Sequence, residues 1–221
     1  MKEVNSYGWK AVIGSSIGYA MDGFDLLILG FMLHAISADL NLTPTQSGSL
    51  VTWTLIGAVA GGIIFGALSD RYGRVRVLTW TIVLFATFTG LCAFATGYWD
   101  LLIYRTIAGI GLGGEFGIGM ALAAEAWPAR HRSRVSSYVA LGWQAGVLLA
   151  AVLTPMLLPF IGWRGMFIVG VIPALIAWFI RHRLHEPDVF VNQSAAEKTS
   201  MLESFRLLVK DKATTKISAG I

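Results

Sequence analysis

The sequence predicts an all-α membrane protein with six transmembrane helices, and three observations lead to that fold class. Hydrophobic residues make up 55% of the 221 residues and charged residues only 14%, which is too apolar for a soluble domain of this length. The apolar residues occur in blocks of about 20, the length that a helix needs to cross about 30 Å of hydrocarbon. Charged residues are concentrated between these blocks. Because lipid offers the backbone no hydrogen-bonding partners, each block is expected to be a helix.

The six blocks follow one another with links of different kinds. The first begins after a short polar leader, and a polar segment, 34–46, separates it from the second. Arginine-rich loops at 69–76 and 125–134 follow the second and fourth blocks, and a short link at 97–99 joins the third to the fourth. A link at 159–164 separates the last two blocks. The predicted spans are therefore about 10–33, 47–68, 77–96, 100–124, 135–158 and 163–180.

The arginines predict which side of the membrane each loop occupies. Six arginines lie in the loops 69–76 and 125–134, whereas segments 34–46 and 97–99 contain no lysine or arginine. The positive-inside rule places the basic loops and both chain ends in the cytoplasm, with the protein in the cell (inner or plasma) membrane. Six spans return the chain to its starting side, so the span count and the charges agree. The formal charge of +4 thus reflects topology, and we expect no nucleic-acid partner.

The chain divides into a transmembrane bundle, 1–185, and a polar tail, 186–221. In the tail, Ser200 and Glu203 have the spacing of a helix capping box. Five apolar residues then share one helical stripe, which favours a short amphipathic helix on the cytoplasmic membrane surface. They are Met201, Leu202, Phe205, Leu208 and Val209. A flexible linker with chance apolar spacing is the alternative.

Two aspartates lie inside the first predicted span. An ionised residue within a span costs about 2.5–3.5 kcal/mol on insertion scales, so its presence indicates a function. At 100° per residue, Gly14, Gly18, Asp22 and Asp25 fall within a sector of about 80°, which predicts a small, polar face directed inward. A carboxylic acid in this position can carry a proton together with a substrate. The alternative is a structural pair that is hydrogen-bonded to neighbouring helices.

The fourth predicted span carries Arg105 and Glu115, which are about 15 Å apart along the helix axis. Glu115 follows the pair Gly113-Gly114, which would admit a ligand or another backbone, and we expect it to line a pathway. Arg105 lies near one end of the span, where a packed interfacial arginine that extends to the membrane surface is the alternative. With Asp22 and Asp25, these residues form a set that could bind a proton and an anion.

The residues indicate neither an enzyme nor a metal or cofactor site. No nucleophile and base accompany the buried charges, and the four histidines lie in or beside loops without ligand spacing. The segment 109–114 satisfies G-x-G-x-x-G, but it lies within an apolar span and follows no strand, so dinucleotide binding is excluded by its context.

Three motifs carry a resemblance to the major facilitator superfamily, over about residues 7–187. Residues 66–76, Gly-Ala-Leu-Ser-Asp-Arg-Tyr-Gly-Arg-Val-Arg, are similar to its signature G-x-x-x-D-R-x-G-R-[RK], with the last basic residue one position late. Residues 105–113 are similar to its fourth-helix pattern R-x-x-x-G-x-G-x-G, and residues 162–167 to its usual entry into the sixth helix. The resemblance implies one half of a twelve-helix fold, in which two six-helix halves surround a central site.

Two further segments are most similar to the proton symporters of organic anions, such as sialate and aromatic-acid transporters. They are 22–25, Asp-Gly-Phe-Asp, and 125–134, which begins with Glu125. After Gly142 and Gly146 comes Val147, so the G-x-x-x-G-P signature of the drug antiporters is absent, which favours symport over drug export.

The resemblance also implies roles for individual residues. Asp22 and Asp25 would serve proton coupling and substrate handling, and Arg105 and Glu115 would line the route. A cytoplasmic gating signature would comprise Gly66, Asp70, Arg71, Gly73, Arg74, Arg76 and Glu125, with Asp70, Arg74 and Glu125 forming a charge cluster that stabilises one conformation.

The predicted function is secondary active transport, specifically proton-coupled symport of an organic anion by an N-terminal half or truncated product. The expected partners are the anion, protons, the lipid bilayer and a missing C-terminal half or a second copy. A sugar-type facilitator and a non-transporting fragment or membrane scaffold are the alternatives. In an isolated half, we expect the stripe of Asp22 and Asp25 to face water, lipid or another copy.

Overall fold

Five helical segments make up nearly all of the protein that the computed structural model describes, residues 6–181. No strand occurs within that range. The helices are α1, Ser6–Leu40; α2, Pro44–Tyr72; α3, Arg74–Cys92; α4, Tyr98–Glu125; and α5, Arg132–Arg181, with a 3₁₀ turn at Ala129–His131 before α5. The predicted surface helix of the tail, with the capping box at Ser200, lies outside the described residues.

α5 contains two of the predicted spans. Gly162 has φ 64° and ψ 178°, a non-helical conformation that interrupts the helix and that glycine adopts at low cost. Before it, residues 132–161 run parallel to α1, since Gly142 packs on Ser16 and Gly146 on Ala20. After it, residues 163–181 run antiparallel to α1, since Trp163 contacts Asp39 and Gly170 contacts Ile28. The chain therefore reverses its direction at Gly162. Counting the two halves of α5 separately, the described residues form six helical crossings.

Contacts to α4 establish the direction of the other helices. α2 runs parallel to α4, because Gly109 packs on Thr54 and Gly113 on Ala58. α1 runs antiparallel to α4, because Ser15 bonds to the carbonyl of Gly119 and Asp25 pairs with Arg105. α3 runs antiparallel to α4, because Gly111 packs on Phe85 and Gly114 on Thr81. Successive crossings thus alternate in direction, as consecutive membrane spans require.

Most helix ends lie a few residues from the predicted span limits, and the largest difference is at the end of α1. α1 continues from 33 to Leu40, where Asn41 takes a positive φ of 51° and ends the helix. α3 ends at Cys92 rather than near 96. Beyond this end, the Thr96 hydroxyl donates a hydrogen bond of 2.6 Å to Asp100 at the start of α4.

The start of α2 is specified by its sequence. Thr43 and Gln46 form a capping box, in which each side chain accepts a hydrogen bond from the other residue's backbone N–H. Pro44 occupies the first helical position, where its lack of an N–H costs nothing. This cap fixes where α2 begins after the short turn at Asn41.

The outer surface of the bundle is apolar. Large side chains such as Phe160, 85% exposed, and Phe94, 73% exposed, point away from the core, as do residues on every long helix. A soluble protein rarely exposes contiguous apolar surface of this extent. All five helices are also long and apolar enough to cross a membrane.

Small residues allow the helix backbones to approach closely along two seams. In the α2–α4 seam, a Cβ added at Gly61 would overlap the carbonyl oxygen of Ile110, and one at Gly113 would overlap that of Ala58. In the seam between α1 and the first half of α5, Gly142 and Gly146 are equally close to the α1 backbone. Close packing of this kind is a main source of helix association in lipid.

Two glycines of α4 test this packing. Gly113→Ala should destabilise the protein by about 1–3 kcal/mol, because the new methyl group meets backbone that cannot move aside. Gly117→Ala, one turn away on the same helix, has no atom within 4 Å of the added Cβ. It should leave the melting temperature unchanged or raise it slightly, because alanine favours helix over glycine. Thermal unfolding of both variants in detergent checks this; equal melting temperatures would contradict the packing argument.

Candidate functional site

A buried ion pair lies at the centre of the α1–α4 contact. The guanidinium of Arg105 donates two hydrogen bonds to the Asp25 carboxylate, 3.0 Å from Nη1 to Oδ1 and 2.7 Å from Nη2 to Oδ2. Both side chains are 0% exposed. A bidentate pair of charged groups is among the strongest hydrogen-bonded arrangements in proteins. The interpretation of Arg105 as an interfacial arginine that extends to the membrane surface is therefore wrong, because Asp25 holds it inside the bundle.

The remaining surface of Arg105 is enclosed by α3 and the second half of α5. Its guanidinium lies 5.7 Å from the ring centroid of Phe167, a cation–π contact. Cys92, at the end of α3, is buried beside it and lies close enough to interact with the guanidinium. Arg105 thus connects α1, α3, α4 and α5 at one point.

Asp22 and Glu115 are also 0% exposed and belong to the same interface. Tyr19, one turn before Asp22, lies within electrostatic range of both carboxylates. Its hydroxyl donates a hydrogen bond of 2.6 Å to the carbonyl of Phe116, and its ring stacks on the Phe116 ring. The structure therefore places all four predicted pathway residues at the contact between α1 and α4. Asp22 and Asp25 come from α1, and Arg105 and Glu115 from α4.

The expectation that the aspartate stripe faces water, lipid or another copy is wrong. Gly14, Gly18, Asp22 and Asp25 are all buried within the six-crossing bundle itself. The reason is the placement of α4, whose own charged residues lie opposite this face of α1. The polar face looks inward, as the periodicity predicts, but its partners come from the same bundle.

A second charged cluster joins the α2–α3 link to the end of α4, and we name it the Arg74 cluster. Arg74 pairs with Asp70 at 2.9 Å and with Glu125 at 3.1 Å, and donates a hydrogen bond of 2.8 Å to the Ser69 hydroxyl. Gly73 makes this possible: its φ of 104° lets α2 end and α3 begin at one residue.

Other members of the predicted gating signature lie differently. Arg71 and Arg76 are exposed, and the guanidinium of Arg71 lies over the ring of Tyr72 at 5.5 Å. A Cβ added at Gly66 would meet no atom within 4 Å, so close packing does not explain this glycine.

A third cluster, which the sequence reasoning missed, lies at the opposite end of the bundle, and we name it the Asp39 cluster. Asp39 accepts hydrogen bonds from the Trp163 indole at 3.2 Å and from Arg164 at 2.6 Å. Arg164 also donates to the carbonyl of Ala95 at 3.2 Å and lies over the Trp163 ring at 4.1 Å. The link residue Arg164 was the only available signal for this contact in the sequence; nothing marked Asp39 as its partner.

Aromatic residues beside the charged groups were also missed. Tyr19, Phe116 and Phe167 contact or approach the buried charges, but aromatic residues are common in any span. The sequence offered a signal for two of them, since Phe116 is next to Glu115 and Tyr19 is one turn before Asp22, but none for Phe167. As for metals, residues 6–181 contain no group of three or more potential ligands that could hold an ion.

The family profile described as Major Facilitator Superfamily matches residues 15–220. The chain belongs to this superfamily. It is therefore a multi-pass membrane protein of a family of transporters rather than of enzymes. The six crossings form the six-helix half of the superfamily fold, as the sequence motifs predict.

Curated relatives extend over much longer chains. A Haemophilus influenzae protein described under metabolite transport is 76% identical, over 99% of this chain and 55% of the relative. The sialic acid transporter NanX of Escherichia coli is 34% identical, over 93% and 51%. The cis,cis-muconate transport protein of Acinetobacter baylyi is 31% identical, over 95% and 52%. The chain thus spans about half the length of the curated relatives it matches.

The solved structures support the fold. An inward-open structure of the xylose transporter XylE from Escherichia coli superposes with a TM-score of 0.74, covering 96% of this chain and 55% of that one. At 23% identity, this similarity concerns the architecture alone.

The buried pair generates a stability prediction. Asp25→Asn should destabilise the protein by about 3–5 kcal/mol, because it leaves the Arg105 charge buried without its counter-charge. The double variant Asp25→Asn/Arg105→Gln removes both charges and should recover much of that loss. Unfolding in a denaturing detergent titration measures both, with Asp100→Asn, a non-buried aspartate near one end of the bundle, as control. A double variant less stable than Asp25→Asn would contradict the pairing argument.

Proposed function

We propose that this chain forms the N-terminal half of a proton-coupled symporter for a carboxylate-bearing organic anion. The observation that carries the proposal is the bidentate pair between Asp25 and Arg105, at 3.0 and 2.7 Å with both partners fully buried. The planar guanidinium of Arg105 matches a carboxylate in geometry. The same guanidinium that now binds Asp25 would therefore bind the carboxylate of a substrate.

The pair offers a physical route to coupling. A proton that binds to a carboxylate oxygen of Asp25 neutralises it and weakens its hold on Arg105. The freed guanidinium then accepts the carboxylate of the substrate. One proton and one negative charge enter together, so the net charge of the buried site is the same before and after. This balance matters because an uncompensated charge in a site without water is costly.

Asp22 and Glu115 complete the proposed proton path. Both are buried at the same interface, with the Tyr19 ring near both. Carboxylates held close together in a buried site favour protonation of one of them. We assign to Asp22 the exchange of protons with Asp25 three residues further along α1, and to Glu115 the wall of the pathway on α4.

The relatives support the proposed substrate class. NanX and the muconate protein are named for the transport of sialic acid and cis,cis-muconate, both carboxylates. Substrate sites of this fold lie between two six-helix halves, so a second half is required opposite α1 and α4. That half is the remainder of a longer chain, a separate polypeptide or a second copy of this one.

The Arg74 cluster has a separate place in the proposal. Arg74 binds both Asp70 beside it and Glu125 at the end of α4, so it ties the α2–α3 link to the helix that carries Arg105. We propose that this tie stabilises one conformation of the cytoplasmic end and is rearranged when the halves rock.

Proton coupling predicts the behaviour of two aspartate variants. A chimera in which residues 1–221 replace the matching segment of the Haemophilus influenzae relative should accumulate an organic acid under an imposed pH gradient. Asp25→Asn and Asp22→Asn should each abolish accumulation, because a titratable group is lost while its shape is kept. Counterflow exchange should survive. Uptake of sialic acid, cis,cis-muconate and related acids into proteoliposomes measures both activities.

Three outcomes of that experiment would contradict the proposal. Normal accumulation by both variants would remove the proton role. Uptake by the parent chimera that equilibrates a neutral sugar and ignores the pH gradient would favour a facilitator. A correctly inserted chimera without any uptake across the panel would favour a membrane scaffold.

The proposed orientation predicts which helix starts are accessible from outside the cell. Thr45 and Ser133 are each the second residue of a helix and exposed, at the start of α2 and α5. In a Cys92→Ala background, a cysteine replacing Thr45 should react with an impermeant thiol reagent added to intact cells. One replacing Ser133 should react only after the cells are opened. The reverse pattern would place the termini outside the cytoplasm.

A further inference from the structure

An unbroken series of contacts links the exposed Asp39 cluster to the buried Arg105 pair. Asp39 accepts a hydrogen bond of 3.2 Å from Trp163. The Trp163 ring packs edge-on against Phe167, with centroids 6.0 Å apart and ring planes at 90°. Phe167 in turn lies against the guanidinium of Arg105, at 5.7 Å, which holds Asp25.

We propose that Asp39 is a positioning residue for the buried ion pair and acts on it through Trp163 and Phe167. Its carboxylate fixes the indole, the indole fixes the neighbouring ring, and that ring closes one side of the Arg105 site. The inference concerns the geometry of the pair and holds whether or not the proposed transport function is correct.

The local structure makes this transmission direct. Trp163 and Phe167 are four residues apart, so they lie one above the other on the same face of the helix. They lie in the first turns after the break at Gly162, whose non-helical φ and ψ change the direction of the helix. Trp163 is 4% exposed and Phe167 0%, so neither ring can turn without displacing its neighbours.

The ion pair of Asp39 with Arg164 has a supporting part. Both side chains are nearly half exposed, 47% and 44%, and such a pair by itself contributes little to stability. The pair matters because it fixes the position of the Asp39 carboxylate. Arg164 binds Asp39, the Ala95 carbonyl and the face of the Trp163 ring, so it holds the carboxylate within hydrogen-bonding distance of the indole N–H. The cluster thus ties the ends of α1, α3 and the second half of α5.

Cys92 provides a native reporter for this inference. It is the one cysteine of the sequence, is fully buried and lies beside Arg105. Its rate of modification by N-ethylmaleimide, a small permeant reagent, measures how often the site around Arg105 opens. The whole chain in detergent or nanodiscs serves for this measurement, with no need for transport.

Asp39→Ala should raise the rate of Cys92 modification by roughly three- to tenfold. Asp39→Glu, which keeps a carboxylate, should restore most of the slow rate. The matched control is Asp100→Ala: Asp100 lies in the first turn of α4 and bonds to Thr96 rather than to Trp163. In Asp100→Ala, Cys92 should be modified at the rate seen in the parent protein. Rates are compared at temperatures equally far below each variant's own melting temperature, so that a general loss of stability is not scored.

A double variant separates positioning from independent loosening. Phe167→Leu removes the ring between Trp163 and Arg105 and should itself accelerate modification. If Asp39 acts through this ring, Asp39→Ala/Phe167→Leu should label no faster than Phe167→Leu alone. If the rate increases of the two single variants multiply in the double variant, the inference is wrong. It is also wrong if Cys92 is modified at the same rate in Asp39→Ala and in Asp100→Ala. Non-additive labelling together with a transport-inactive chimera would retain it and reject the proposed function instead.

Discussion

The desolvation of Arg105 is the constraint on which the arrangement of the bundle depends. A guanidinium in a site without water requires a counter-charge and hydrogen-bond acceptors at close range, and Asp25 supplies both. Satisfying that requirement sets the relative rotation and height of α1 and α4. Phe167 and Cys92 then close the site from α5 and α3. The charge that is most costly to bury therefore organises four helices around itself.

Close backbone packing makes this arrangement possible. Lipid gives no hydrophobic reason for apolar helices to associate, so contact quality matters more than in water. Glycines in the α2–α4 seam and in the seam between α1 and the first half of α5 bring backbones together at distances that any side chain would prevent. The two seams fix α4 against α2 and α1 against α5. The α2–α4 pair and the pair of α1 with the first half of α5 then meet at the Asp25–Arg105 ion pair. Because both helix pairs are tightly packed, they hold the ion pair in one geometry.

The charged clusters at the two ends differ in kind from the central pair. Arg74 and Arg164 are partly exposed, so their pairs are worth little as isolated interactions. Each nevertheless joins helix ends at a surface of the bundle: the α2–α3 link to the end of α4, and the break at Gly162 to the ends of α1 and α3. Such contacts can be rearranged at low cost. This property suits the ends of a protein whose halves are proposed to rock, whereas the central pair resists change until its charge is altered.

The sequence by itself determined the span number, the helical fold, the family and the inward direction of the polar face of α1, because span length, charge placement and helical periodicity are properties of consecutive residues. It also identified Asp22, Asp25, Arg105 and Glu115 as unusual, since any charge within a span is costly. Only the tertiary structure decided that Asp25 pairs with Arg105, 80 residues away, that the aspartates are enclosed by their own bundle, and that Asp39 meets Trp163. Pairing between distant residues depends on helix rotation and height, which are set by contacts between helices, the glycine seams and the ion pair itself, and not by the local pattern.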